Sequence, residues 1–244
     1  MASGAPLDPA DFAVPIEPVA VIIPARNEEQ SIFRVIAEIP KSLVTEIIVV
    51  DNGSVDQTAS VAAGAGAVVV GESRKGYGYA CLAGIDRALR SNPSILVFLD
   101  GDYSDYPQDL PDILGMVHEG HDLVIGSRTL GEHERGSLLP QAVFGNWLAT
   151  WLIRFFWGYR FTDLGPFRAV RTDALQRMHM ADPTYGWTVE MQIKAAKLRL
   201  RCAEVPVRYR KRIGKSKITG TLSGTIKASA KILSIIFRSL FEKV

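Results

Sequence analysis

The sequence predicts an α/β protein built on a single doubly wound, mostly parallel sheet flanked by helices, with a C-terminal amphipathic helix. Three observations predict it. Short, near-continuous apolar runs rich in β-branched residues recur along the chain, as strands buried on both faces require. Between these runs lie segments whose apolar residues follow the helical period. Clusters of carboxylates and amides follow three of the runs, at the edge of the sheet where such folds bind ligands.

The elements follow in order. Residues 1–18 are rich in Ala, Pro and Asp and lack the basic start and apolar core of a signal peptide, so they read as a flexible lead-in. VAVII, starting at Val19, is the first strand, followed by a helix over 28–39. EIIVV and AVVV are the second and third strands, each followed by a helix, over 54–65 and 76–90. SILVFL is the fourth strand, and Pro107 opens the next helix, over 107–117, because its fixed φ suits a first turn. DLVI is the fifth. Strands alternating with helices require right-handed crossovers, which bring the C-terminal ends of the strands to one edge.

The second half is less regular. It holds an aromatic-rich stretch over 138–161, a helix over 185–197, a strand over 202–209, a basic loop and a final helix. In that helix Leu222, Ile226, Ala230, Leu233, Phe237 and Leu240 recur at helical spacing, a stripe read as core packing, with docking on a membrane surface as the alternative. Trp147, Trp151, Phe155, Phe156 and Trp157 carry the same two readings. The domain scheme is a lead-in over 1–18, one α/β domain over 19–219 and the amphipathic helix over 220–244.

Composition sets the class and little more. With 244 residues, 47% hydrophobic and 22% charged, the chain can bury one full core. A net charge of +2 gives no pull toward nucleic acid, but it hides a basic stretch in which Arg199, Arg201, Arg208, Arg210, Lys211, Arg212, Lys215 and Lys217 face only Glu204. Cys81 and Cys202 lie far apart and form neither a disulfide framework nor a zinc motif. The expected compartment is the cytoplasm, with peripheral contact on the inner face of the cell membrane. Both apolar-rich stretches are interrupted by Arg or Lys, so neither supplies roughly 20 uninterrupted apolar residues for a membrane span.

The chemistry sits at the strand ends: Pro24-Ala25-Arg26-Asn27-Glu28, Asp51-Asn52-Gly53-Ser54 and Asp100-Gly101-Asp102. Two aspartates flanking one small residue reach a common point, and paired carboxylates are costly without a compensating cation. A hard divalent ion, Mg²⁺ or Mn²⁺ bridging phosphate oxygens, suits them. The loop RIGKSK then offers Arg212, Lys215 and Lys217 to the remaining negative charge of a nucleoside diphosphate. Lys75-Gly76-Tyr77-Gly78 lacks the third glycine of a dinucleotide fingerprint, and helix packing accounts for its glycines as well as phosphate binding does. Asp100-Gly101-Asp102-Tyr103-Ser104 also fits the pattern of aspartate-nucleophile phosphatases.

IPARNEE, VVDNGSVDQT, Asp100-Gly101-Asp102, VIGSR and RKRIGKSK, in that order, resemble the segments of family 2 glycosyltransferases with the GT-A fold. The most similar members are dolichyl-phosphate and polyprenyl-phosphate sugar synthases. The resemblance implies an inverting transfer of a hexose from UDP-glucose or GDP-mannose to a polyprenyl phosphate. It implies Pro24, Arg26, Glu28 and Asp51 around base and ribose, Asp100 and Asp102 on the metal, and Arg212, Ser216 and Lys217 over the diphosphate. Arg128 of Gly126-Ser127-Arg128 would meet the acceptor phosphate. Two departures stand out: Ser104 replaces a Gln shortly after the metal motif, and Gln141 stands where a second acceptor Arg is expected. A hydroxyl acceptor would need a base, and Glu190 in YGWTVEMQ is the candidate the resemblance offers.

Overall fold

The computed structural model describes residues 17–214 and 222–242. Seven strands, β1 (Val19–Ala25), β2 (Glu46–Asp51), β3 (Val68–Gly71), β4 (Ile95–Phe98), β5 (Leu123–Ser127), β6 (Arg168–Arg171) and β7 (Cys202–Pro206), form one sheet in the order β3-β2-β1-β4-β6-β5-β7. The helices are α1 (Ile32–Glu38), α2 (Thr58–Gly64), α3 (Tyr77–Leu89), α4 (Leu110–His118), α5 (Pro140–Trp157), α6 (Thr172–Met178), α7 (Trp187–Lys197) and α8 (Leu222–Arg238).

Period-two alternation divides the strand residues between two cores. Ala20, Ile22, Ile48, Val50, Leu96 and Phe98 face one core, shared with α3, α5, α6, α7 and α8. Val19, Val21, Ile23, Val49 and Val97 face the other, under α1, α2 and α4. The expected strands all form. Three expected helices start late because residues 28–31, 54–57 and 107–109 are spent on turns or a short 3-10 segment.

Two elements were not anticipated. β6 runs antiparallel between β4 and β5, and α6 follows it directly. The run RAVR is too short and too charged at its ends to read as a strand. It is stable in place because its backbone is paired on both sides and because Arg168, 1% exposed, donates to the carbonyls of Leu164 (3.0 Å), Gly165 and Thr188 (3.2 Å).

The C-terminal helix follows the expected stripe only in part: Leu233 packs against the core, and the side chains of Leu222 and Ile226 lie outside the described residues. Ile235 and Ile236 are buried, whereas Phe237 and Leu240, both on the expected stripe, are 48% and 39% exposed. On α5, Leu152 and Ile153 enter the core while Trp147, Trp151 and Phe155 face outward and Phe156 meets Phe237 of α8 edge-on, ring centres 6.0 Å apart. No helix among the described residues is long and apolar enough to cross a membrane.

Candidate active site

A cleft enclosing about 930 Å³, its open mouth included, lies at the C-terminal ends of β1, β2 and β4. Pro24, Arg26 and Glu28 line one wall, and Asp100, Gly101 and Asp102 lie at the end of β4. Arg212 comes from the basic segment, and Thr184 and Tyr185 come from the loop before α7. Five of the expected site residues besides Pro24 therefore converge: Arg26, Glu28, Asp100, Asp102 and Arg212.

The strand-end loops are tied to each other by short side chains. Ser54 Oγ accepts from the Asn27 amide at 2.9 Å, Thr58 Oγ1 accepts from the Glu28 amide at 2.7 Å, and Asn27 Oδ1 accepts from the Val55 amide at 2.9 Å. Asp51 lies beside the cleft without lining it; its Oδ1 accepts from the Ser54 amide at 3.0 Å and shapes the turn. Its neighbour Asn52 does line the cleft. Buried, it donates to the carbonyls of Glu72 (3.0 Å) and Arg74 (2.7 Å) and accepts from the Gly76 amide (2.8 Å), fixing the segment that carries Lys75 and Gly76.

Gly76 and Gly78 have a packing reason. A Cβ on Gly78 would meet the Asp182 carbonyl oxygen at 1.8 Å, and one on Gly76 would meet that of Pro183 at 2.2 Å. The loop 182–186 therefore lies directly on the start of α3 and forms the far wall of the cleft.

At the metal motif, the Tyr77 hydroxyl donates to Asp100 Oδ1 at 3.1 Å. Asp102 Oδ1 accepts from the Ser104 amide at 2.9 Å and from the Ser104 hydroxyl at 2.5 Å, while Oδ2 pairs with the Arg212 guanidinium. Burial, and then the charge of Asp102, push the Asp100 carboxyl up to about 6. The pair fits a divalent cation. One guanidinium already stands against it, and the second carboxylate still carries uncompensated charge. Among the described residues no group of three His, Cys, Asp or Glu side chains suits a metal ion, so the chain would contribute two carboxylates and leave the other positions to phosphate and water.

Arg128 follows β5 and is held by Asp163. Its Nε and Nη2 donate to Asp163 at 2.8 and 2.7 Å, and its amide donates to the same carboxylate at 2.8 Å. Burial works to lower its pKa, but Asp163 prevails and holds it well above the ordinary value. Asp105, 2% exposed with neither carboxylate oxygen hydrogen-bonded, is raised well above the carboxylate range by burial and by Asp100 and Asp102.

Glu190 lies away from the cleft. Its oxygens accept from the amides of Ala181 (3.1 Å) and Asp182 (2.8 Å), and Lys194 pairs with it at 2.8 Å. That environment fixes the loop 179–184 and leaves no free lone pair facing a substrate, so the structure gives a general-base role no support. Ser216 and Lys217 lie outside the described residues. Neither Arg128 nor Asp163 lines the cleft. Sequence reasoning had no means of finding Thr184 and Tyr185, which reach the cleft from a distant part of the chain, or Asp163, which holds Arg128. Asn52 and Tyr77 sat inside segments already singled out, without an assigned role.

The basic segment divides. Arg208 pairs with Asp109 and lies over the Tyr106 ring at 4.6 Å. Arg210 donates to Glu38 at 2.7 Å and is stacked between Tyr103 and Tyr106, 3.2 and 4.2 Å from the ring centres. These two clamp the segment to the residues after the metal motif. Arg212 alone of the three lines the cleft.

A mixed seven-stranded sheet with a paired-carboxylate cleft at its strand ends defines a metal-dependent transferase of the GT-A fold. Residues 20–178 match Glycosyl transferase family 2, and the chain belongs to that family. It is 36% identical to an uncharacterised glycosyltransferase of Mycobacterium tuberculosis over 220 residues, 89% of this chain and 97% of that one. It is 30% identical to the undecaprenyl-phosphate mannosyltransferase of Micrococcus luteus over 218 residues, 84% of this chain and 89% of that one. Among solved structures it is similar to the glucosyl-3-phosphoglycerate synthase of M. tuberculosis in complex with Mn²⁺, UDP-glucose and phosphoglyceric acid. The TM-score there is 0.73 at 25% identity, covering 93% of this chain and 81% of that one. Family membership and the four earlier strands of the sheet remove the phosphatase reading of Asp100 and Asp102.

Proposed function

We propose that the chain transfers a hexose, with inversion, from a nucleoside diphosphate sugar to a polyprenyl phosphate at the membrane surface. On the donor side Pro24, Arg26, Glu28 and Asp51 surround base and ribose. Asp100 and Asp102 hold a divalent cation, which when bound neutralises charge on the departing diphosphate. Arg212, with Ser216 and Lys217, donates to the same phosphates.

The observation that carries the lipid acceptor is the outer face of α5. Val143, Phe144, Trp147, Trp151 and Phe155 are 46–68% exposed, at helical spacing, and the helix contains no acidic residue but carries Arg154. Aromatic rings beside a cation suit the headgroup layer of an anionic membrane. The undecaprenyl-phosphate mannosyltransferase named above and the polyprenol monophosphomannose synthase of Mycolicibacterium smegmatis, 30% identical over 240 residues, support the same class of acceptor. The environment of Glu190 supports it too, because a phosphate monoester oxygen, with a second pKa of about 6, is already anionic and needs no base. Arg128 then orients the acceptor phosphate.

The likeness to a synthase crystallised with phosphoglyceric acid supports a second reading, a soluble phosphorylated acceptor. A donor screen with Mn²⁺ or Mg²⁺ separates the two, run with polyprenyl phosphate in vesicles or with phosphoglyceric acid. Sugar label that enters organic solvent only when the lipid phosphate is present is the expected result. Transfer to the soluble acid alone would replace the first reading by the second.

A further inference from the structure

We propose that Arg212 is the internal counter-ion of the metal motif, occupying Asp102 until a divalent cation and a nucleoside diphosphate together give both groups better partners. This rests on the donor-site reading above and assigns the residue a second station within it.

The observations are local and mutually consistent. The Arg212 guanidinium pairs with Asp102 Oδ2, on a carboxylate whose other oxygen is taken by Ser104. Its own pairing is incomplete: Nε is buried and has no hydrogen-bond partner among the described residues. Among the described residues the hydrogen bond to Asp100 comes from the neutral Tyr77 hydroxyl, and the ion pair to the motif is the single one from Arg212 to Asp102. A divalent ion compensates both carboxylates, and oxygen acceptors on a diphosphate complete the guanidinium.

The segment is built to let this one arginine turn. Arg208 and Arg210 are each paired to a carboxylate and stacked on rings, whereas Arg212, a third exposed, has its pairing with Asp102 and no ring beneath it among the described residues. The Ile213 amide donates to the Asp102 carbonyl at 2.9 Å, so the backbone stays anchored on the metal motif while the side chain moves. Gly214 follows at φ +84°, a backbone conformation that glycine adopts at little cost.

The consequence is a coupling between ligands. An ion arriving alone must displace the arginine and leave it without an acceptor. An ion arriving with a diphosphate does not. Metal and nucleotide should therefore bind each other's complexes more tightly than they bind the empty chain, and Arg212 should carry a measurable part of that difference.

The test uses the full-length chain and titrates Mn²⁺ by the paramagnetic resonance signal of the free ion, alone and then with saturating UDP or GDP. In Arg212→Met, Mn²⁺ alone is expected to bind about tenfold more tightly than in wild type, and the extra affinity conferred by nucleotide is expected to shrink. Arg212→Lys, which keeps a cation near Asp102, should stay close to wild type for Mn²⁺ alone. Circular dichroism checks that each variant is folded. Unchanged or weakened Mn²⁺ binding in Arg212→Met overturns the proposal, as does a Lys variant that behaves like Met. A wild-type chain whose Mn²⁺ affinity is the same with and without nucleotide overturns it without any variant. Failure of the wild type to bind either ligand would overturn the donor-site reading as well, which distinguishes the two failures.

Discussion

The cleft proposed for the donor and the segments proposed to meet the acceptor are built in different ways. On the donor side, three parallel strands end at the same level, and short-range loops tied by Ser54, Thr58 and Asn52 hold Arg26, Glu28 and Asp100. On the proposed acceptor side, irregular segments are placed by side-chain partners: Arg128 by Asp163, the loop 181–182 by Glu190 and by Lys231 of α8, which meets Asp182 at 2.9 Å. Regular βα units fix the position of a residue that follows a strand; irregular segments need a partner to do it. A donor site of the first kind can be shared across a family, while acceptor specificity is free to vary with the second.

The strongest way to break this contrast is Asp102→Asn. If the metal motif serves the donor chemistry, transfer should fall on the order of 10³-fold with Mn²⁺ present, the scale of losing one preorganised charge-stabilising group. Near-normal turnover in a donor assay would remove Asp102 from the site. Next in size is Arg128→Lys. It keeps the charge opposite Asp163 but loses the two-pronged pairing, so the KM for the acceptor should rise about tenfold to a hundredfold while donor affinity is unchanged, the loss of one charge-assisted bidentate contact. An equal rise in both KM values would mean that Arg128 supports the whole cleft. Arg128→Ala is a poorer probe, because an unpaired buried Asp163 would cost about 3–5 kcal/mol of stability.

What could be read from the sequence follows the same division. IPARNEE, VVDNGS and Asp100-Gly101-Asp102 each join a β-branched run directly to the polar residues at its end, so a one-dimensional pattern already places them at one edge. β6 could not be read, since RAVR gains its stability from two neighbouring strands and from carbonyls that accept from Arg168. The basic stretch was legible only in part. Locally it faces only Glu204, whereas in the fold Arg208 and Arg210 are neutralised by Asp109 and Glu38, residues far away in the chain. The C-terminal stripe shows a similar limit: several helical faces of α8 are apolar, and contact with α5 and α7 decides which one is buried.

Smaller effects sharpen the boundary between structure and chemistry. Glu190→Gln keeps one acceptor oxygen but loses the charge that serves two amides and Lys194, at a cost of about 1–3 kcal/mol in unfolding free energy. The turnover number at saturating substrate and its pH profile should not move. A large loss of turnover with an unchanged melting temperature would restore Glu190 as a base.

The last prediction concerns the uncompensated charge at Asp100. Its carboxyl titrates at about 6 in the folded chain against an ordinary value of 3.8, so the folded state holds the proton more tightly than the unfolded state. Without metal, that group makes the fold less stable at pH 7.5 than at pH 5, by about 1–1.5 kcal/mol, roughly one pKa unit's worth. The contribution recovers as pH falls through 6 and is fully recovered below the unfolded value. A divalent ion on the same oxygens relieves the cost at pH 7.5 and must compete with the proton at pH 5. Saturating Mn²⁺ should therefore raise the melting temperature by several degrees more at pH 7.5 than at pH 5, at about 2–4 °C per kcal/mol for a chain of this size. Asp100→Asn removes both the charge and the ion's foothold, so the pH dependence of the Mn²⁺ effect should vanish with it. A variant that keeps the full difference would show that the ion, and the strain it relieves, lie elsewhere on the donor side.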